Sequence, residues 1–232
     1  MRQIRKLAQP NALGEWIAAN RSGPNCNYRS VDGELRRVIR EALVAEQGGL
    51  CAYTGRKIDV ETCHIEHLMP QEHCEHLEDV DYRNLVAAVP QANAPRLPYG
   101  AQQKDNWPPK NEANTFVSPL SNGCSQRFAF NFKGEIEAKN PMDNAAVSTI
   151  ERLALNHSIL IGFRREAIRR TIQLPGKRPK LLDTNTARRR LHGLQAKDRG
   201  SLNLEQFSFA LISALEKHID RLAKLSSKKR RS

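Results

Sequence analysis

His64-Ile65-Glu66-His67-Leu68-Met69-Pro70 is more informative than its composition. Four of the chain's seven histidines, His64, His67, His73 and His76, fall between residues 64 and 76, with Cys63 and Cys74 among them. Imidazole is the commonest metal ligand and general base near neutral pH, so this clustering points to chemistry. The competing reading is a solvated polar loop in which the histidines do nothing. If the heptapeptide is extended, side-chain alternation sets His64 and Glu66 on one face and His67 on the other. Such a strand offers ligands to a metal on one side and a base to substrate on the other.

Outward from this stretch the chain is helical with short extended pieces. Leu35, Val38, Ile39, Ala42 and Leu43 form one face of a helix over 34–47, which Gly48-Gly49 ends. Residues 50–70 lack helical periodicity and read as strand and loop. In Arg127-Phe-Ala-Phe-Asn-Phe132 aromatic and other side chains alternate, and Lys133-Gly134 then supplies a two-residue turn into Glu135–Ala138, a β-hairpin. One long helix is expected over 146–170, capped by Asp143 or Asn144. Residues 175–200 read as a basic linker. An amphipathic helix begins at Asn203, whose spacing to Gln206 suits a capping box, and dissolves at Ser226 into a basic, disordered tail.

The 232 residues carry a formal charge of +12, unevenly spread. From Arg164 onward 19 Lys and Arg face 6 Asp and Glu, whereas the first 163 residues hold 18 basic and 19 acidic side chains. Residues 66–81 contain six acids and no Lys or Arg, a stretch that repels phosphate unless a cation sits there. The basicity points to nucleic acid, an anionic membrane or an acidic partner. No apolar run reaches the roughly 18 residues of a membrane helix, and the N-terminus lacks a signal-peptide core, so no membrane partner and a cytoplasmic location are expected. Five cysteines, an odd number, argue for thiols or metal ligands over a disulfide framework.

Glu66-His67-Leu68-Met69-Pro70, followed by Asn84-Leu85 and then Asn93, resembles the ββα-metal motif of HNH endonucleases. With Ile4-Arg-Lys, Pro10, Cys51-Ala52-Tyr53, the hairpin around Lys133-Gly134-Glu135-Ile136 and the pattern Thr149-Ile150…Leu153…Leu155-Asn156…Leu160…Arg164, the chain is similar over roughly residues 1–170 to a bacterial HNH family. That family includes PtuB, the nuclease partner of Septu and Septu-like antiphage systems. The resemblance implies an α+β fold, a ββα-metal core flanked by an N-terminal helix and C-terminal helices with a β-hairpin. It divides the chain into a helical arm (1–48), a nuclease domain (49–174) and a basic extension (175–232).

Carried over by position, the resemblance implies His67 as general base for a water attacking phosphorus. Glu66 and Asn93 would hold one divalent cation, Mg²⁺ or Mn²⁺, which bridges a nonbridging oxygen and the leaving 3′ oxygen. Asn84 would orient the loop supporting His67. His64, on the face of Glu66, is either a third ligand or a partner of Glu66. The resemblance further implies a PtuA-like ATPase of the ABC/SMC type as partner, in some systems alongside a retron reverse transcriptase. DNA is the preferred substrate and RNA, for instance tRNA, the alternative. A degenerate nuclease kept as a nucleic-acid-binding scaffold is a further rival.

The chain departs from the family at the zinc clamp. Many relatives hold zinc with two Cys-x-x-Cys pairs, where this chain has Cys51-Ala-Tyr-Thr54 and Val89-Pro-Gln-Ala92. One thiolate cannot close a tetrahedral site, so a structural zinc is not expected there, and Val89 and Ala92 are read as apolar filling. A relocated site drawn from Cys63, His73, Cys74 and His76 is an open alternative. In the basic part, Lys177, Arg178, Arg188, Arg189 and Arg190 are candidates for backbone contact with nucleic acid, against docking of an acidic partner or plain solvation.

Overall fold

Side-chain caps and glycines set the helix limits. Helix α1 (Asn11–Asn20) starts after Pro10, and α2 (Gly33–Glu46) starts where the Asp32 carboxylate accepts from Leu35 N–H. Leu35, Ile39 and Leu43 form the buried face of α2, and Gly48 and Gly49, at φ 65° and 70°, turn the chain out of it. The computed structural model describes residues 1–176, 180–200 and 203–229. Among them the strands form three two-stranded antiparallel sheets set among helices, an α+β architecture.

The first sheet positions the histidine-rich stretch. Strand β1 (His64–His67) pairs with β2 (Leu85–Ala88) in the register His64↔Ala88 to His67↔Leu85. All four β2 residues are fully buried, while β1 alternates, with Ile65 and His67 buried and His64 and Glu66 mostly buried but reaching the surface. A one-turn helix, α3 (Ala101–Lys104), follows after the loop beyond β2.

The second sheet, β3 (Phe128–Phe130) with β4 (Ile136–Ala138), is the expected hairpin with a longer connection. Asn131 N–H donates to Glu135 O beyond the strand ends and Gly134 N–H to Asn131 O, with Gly134 at φ 88°, so the three residues 132–134 rather than two close the hairpin, a turn followed by a left-handed glycine. A Cβ at Gly134 would lie 2.5 Å from Ile161 O and 2.6 Å from Arg165 N, so only glycine lets the turn approach the next helix pair so closely.

That pair replaces the single long helix expected over 146–170. Helix α4 (Asn144–Arg152), capped by Asp143, and α5 (Ser158–Ile172) are separated by a turn in which Ala154 is left-handed at φ 44°. The break frees Asn156 to pair with the edge of β4, its side chain accepting from Ile136 N–H at 2.9 Å and donating to Ile136 O at 2.8 Å. Periodicity alone does not register this, because apolar spacing continues across the turn.

Most of the described part of the region expected as a linker forms regular structure as well. Strands β5 (Gln173–Leu174) and β6 (Lys180–Leu181) pair, and Asp183 accepts from Thr186 N–H at 2.9 Å at the start of helix α6 (Thr184–Gly200). The last helix, α7 (Ser208–Lys229), begins later than expected and continues past Ser226. Asn203 and Gln206 do not form a capping box; both accept hydrogen bonds from Lys57. Helix α7 folds back on the body: Phe209 lies 5.2 Å from the Phe130 ring, Lys217 Nζ donates to Phe130 O, and the buried His218 bonds Leu182 O. Apolar side chains from Ile4 to Leu215 join one buried cluster, so the described residues of the three expected segments, 1–48, 49–174 and 175–232, share a core. No helix among the described residues is long and apolar enough to cross a membrane.

Arg164 ties the hairpin to α5. Its guanidinium is 1% exposed and donates to Gly134 O at 2.7 Å and Leu155 O at 2.6 Å. Burial pushes its pKa down to about 10, yet at neutral pH it remains charged. Arg164→Ala removes a large buried side chain and leaves two carbonyls unpaired, and should destabilise the fold by about 3–5 kcal/mol in urea unfolding. A loss under about 1 kcal/mol would show that the hairpin is held by other contacts.

Candidate functional site

Glu66 and His67 come together at the end of β1 on a cavity of about 500 Å³. Its wall also includes Asn27, Arg29, Gln71, Glu72, Asp79, Lys104, Asp105 and Asn106, drawn from the N-terminal segment, the β1–β2 loop and the residues around α3.

His67 is 7% exposed and fixed on two sides. Its Nε2 lies 2.9 Å from Asp79 O, and the Tyr28 ring meets it edge-on at 4.6 Å. A carbonyl oxygen only accepts, so Nε2 carries the proton and Nδ1 keeps the lone pair of the neutral ring. Burial lowers the His67 pKa and prevails over the opposing pull of the Asp79 carbonyl and the Glu66 charge. Asp79 also holds Tyr28, whose backbone N–H donates to its carboxylate at 2.7 Å.

Glu66 is ringed by donors. Lys104 Nζ sits 3.1 Å from Oε1, which also accepts from Tyr53 O–H at 3.3 Å, and His64 Nε2 sits 3.5 Å from Oε2. Burial raises the Glu66 pKa, but the Lys104 ammonium and the His64 hydrogen bond prevail and hold the carboxyl below its ordinary range. His64 shows the mirror effect: burial lowers its pKa, the Glu66 contact outweighs it, and the net shift is upward. The other nitrogen of His64 faces Pro90 O, so both its nitrogens point at acceptors.

Asn84 braces the loop between the two strands. Its Oδ1 accepts from Met69 N–H at 2.7 Å, and its Nδ2 donates to Met69 O and Glu78 O at 3.1 Å each. Its own carbonyl accepts from Leu68 N–H at 2.8 Å. Asn93 lies elsewhere, exposed in the turn after β2 and outside the cavity wall.

Oxygen donors dominate the cavity, the carboxylates of Glu66, Glu72, Asp79 and Asp105 and the amides of Asn27 and Asn106, which suits a hard divalent cation in kind. The arrangement is less complete. Among the described residues no three His, Cys, Asp or Glu side chains converge on one point, and Glu66 already faces an ammonium.

At the lost zinc clamp Cys51, Thr54 and Val89 are buried, whereas Ala92 is exposed, so of the two expected apolar fillers Val89 alone packs inward. The alternative thiols and imidazoles are dispersed. Cys63 is in the core, where burial pushes its thiol up to about 11; Cys74 bonds the carbonyls of Met69 and Pro70; His73 faces Asn106 O. Cys26 and Cys124 are buried. Arg188, Arg189 and Arg190 are exposed on α6, and Lys177 and Arg178 lie outside the described residues.

Sequence reasoning missed Lys104, Tyr28 and Asn106, which no local motif marks. Asp79 stood in the acidic run already noted, but its use of a backbone carbonyl leaves no trace in residue type.

No family profile matches this chain. It is similar to a protein of Vibrio cholerae serotype O1 biovar El Tor named "Retron Vc95 putative HNH endonuclease", at 27% identity over 146 residues covering 60% of this chain and 68% of the relative. The similarity supports an HNH endonuclease family at the level of a distant homologue.

The brace around Asn84 is directly testable. Asn84→Ala leaves the part-buried Met69 N–H and Glu78 carbonyl without their partner and the Met69 carbonyl with the Cys74 thiol alone, and should lower stability by about 1–3 kcal/mol in thermal or urea unfolding. An unchanged midpoint would remove Asn84 from the support of this loop.

Proposed function

We propose that the chain is a divalent-ion-dependent HNH endonuclease with a ββα-metal core, hydrolysing phosphodiester bonds of DNA as the effector of an antiphage defence complex. The observation that carries this reading is the imidazole of His67, fixed with its Nε2 2.9 Å from Asp79 O and set on a cavity beside Glu66. The resemblance to HNH nucleases and the retron-associated name of the Vibrio relative supply the setting. An ATPase of the PtuA type and a retron reverse transcriptase are the proposed partners.

In this reading His67 Nδ1 takes a proton from water as its oxygen attacks phosphorus, and the 3′ oxygen departs. The burial that lowers the His67 pKa keeps the base unprotonated at neutral pH and below it. Asn84 keeps the loop that carries the Asp79 carbonyl in register, and Tyr28 fixes the ring plane. A divalent ion, Mg²⁺ or Mn²⁺, would be held by Glu66 on this cavity and would supply positive charge at the scissile phosphate; Asn93, the second ligand that the resemblance implies, stands outside the cavity wall and would have to approach it. His64 serves as the partner of Glu66. The exposed Arg188, Arg189 and Arg190, with Lys177 and Arg178, are the proposed grip on the nucleic-acid backbone.

Incubation of the chain and its partner complex with Mg²⁺ or Mn²⁺ and with DNA and tRNA in parallel should yield DNA cleavage. His67→Ala should lower it by at least about 10²-fold without loss of folding. Cleavage of RNA alone would overturn the DNA assignment, and unchanged cleavage by His67→Ala would remove that residue from the mechanism. As pH falls, the acid limb of the wild-type rate should have its midpoint below the ordinary histidine value near 6.5, since a lowered pKa keeps the base neutral to lower pH.

Asn93 is decided by the same assay. Loss of cleavage in Asn93→Ala, with an unaltered melting temperature, is the expected outcome; full activity would show that the site is complete without it.

A further inference from the structure

Lys104 stands where the proposed chemistry needs an open carboxylate. Its side chain is 1% exposed, and its ammonium spans two consecutive residues of β1, 3.1 Å from Glu66 Oε1 and 2.8 Å from His67 O. A buried ammonium is costly unless it is paired and hydrogen-bonded, and these two contacts compensate it. The second carboxylate oxygen faces His64 Nε2 at 3.5 Å. Both oxygens of Glu66 therefore have donors, and the adjacent positive charge opposes the approach of a dication.

We propose that Lys104 is a resident cation that competes with the divalent ion for Glu66, so that the free chain binds metal at this site only by displacing its own ammonium. Lys104 is a positioning residue in this scheme: it holds Glu66 and the His67 backbone in place and sets the cost of metal entry. The inference rests on the nuclease reading for the metal's purpose, but its evidence is the Lys104–Glu66–His67 geometry alone. A lysine suits the role because its charge rides on a four-carbon stem that can swing away, whereas a fixed guanidinium fork would bind the carboxylate bidentately.

The test is Mn²⁺ titration of the full chain without nucleic acid, followed by the electron paramagnetic resonance signal of free Mn²⁺. Lys104→Gln retains a donor but removes the charge, and should bind Mn²⁺ about tenfold tighter than wild type. The gain should vanish in Lys104→Gln combined with Glu66→Gln, and Lys104→Arg should not show it. Equal or weaker binding by Lys104→Gln, or a gain that survives Glu66→Gln, overturns the proposal. A measurement independent of any Lys104 variant is Glu66→Gln in the otherwise unaltered chain. With Glu66 occupied by Lys104, that change should move Mn²⁺ affinity by less than about twofold, and a tenfold loss would show the carboxylate to be open. Parallel cleavage assays separate the two readings. Cutting by wild type with no gain in Lys104→Gln sinks the competition and leaves the nuclease; a gain without any cutting does the reverse.

Discussion

Strand β2 is buried along its whole length, and a buried strand must find partners for both of its backbone edges. One edge is met by β1. The other has no third strand among the described residues, and the chain satisfies it piecemeal. The 1%-exposed side chain of Gln47 accepts from Ala87 N–H at 2.7 Å and donates to Ala87 O at 2.9 Å, and Ala52 N–H reaches the same carbonyl. Lys6 donates to Leu85 O while paired with Glu46, which also accepts from Tyr82 O–H. The end of α2, the Cys51-Ala52 turn and the N-terminal segment are thus docked on β2 by its unpaired groups. Because β1 is registered on β2, the same constraint fixes where Glu66 and His67 stand.

From this follows why so small a sheet can carry a site. Two four-residue strands are marginal alone, but β2 is clamped by α2 and the segment before α1, so β1 inherits a rigid support. The loop between the strands is long and polar, and Asn84 closes it by taking both the N–H and the carbonyl of Met69. Asp79, inside that loop, then turns its carbonyl to His67 and its carboxylate to Tyr28 N–H. One residue thereby orients the imidazole and anchors the aromatic ring packed against it.

The parts legible in the sequence are those that local chemistry decides. The helix over 34–47 and the Phe128–Phe130 hairpin follow from period and turn residues, and the alternation of His64, Glu66 and His67 follows from an extended backbone. What stayed hidden depends on tertiary partners. The break between α4 and α5 exists because Asn156 completes the edge of β4, and the apparent cap residues Asn203 and Gln206 are drawn to Lys57. Basic residues made 184–200 read as a linker although Asp183 supplies a good helix cap, a signal that charge obscured. In the site itself Glu66 and His67 were legible by motif. Lys104 was not, since a lysine 38 residues from its carboxylate carries no pattern.

The local charge balance shows what such hidden residues contribute. The stretch 66–81 has six acids and no basic residue, and read as sequence it demands a cation. In the fold that demand is met in three different ways. Lys110 bridges Glu75 and Glu78 at 2.7 and 3.0 Å, Asn106 donates to Glu72, and Lys104 and His64 flank Glu66. The first two are exposed contacts worth little in stability, and their carboxylates remain available to solvent. The third is buried, where the effective dielectric is low and the same charges interact more strongly. The negative charge of the stretch is thus compensated at Glu66 by a buried ammonium, while Glu72, on the same cavity wall, has only the neutral amide of Asn106. The same acids therefore differ in what a cation would meet there: at Glu66 it would face the Lys104 ammonium, and at the exposed carboxylates chiefly solvent, so the group beside a carboxylate matters more than the number of acids around it.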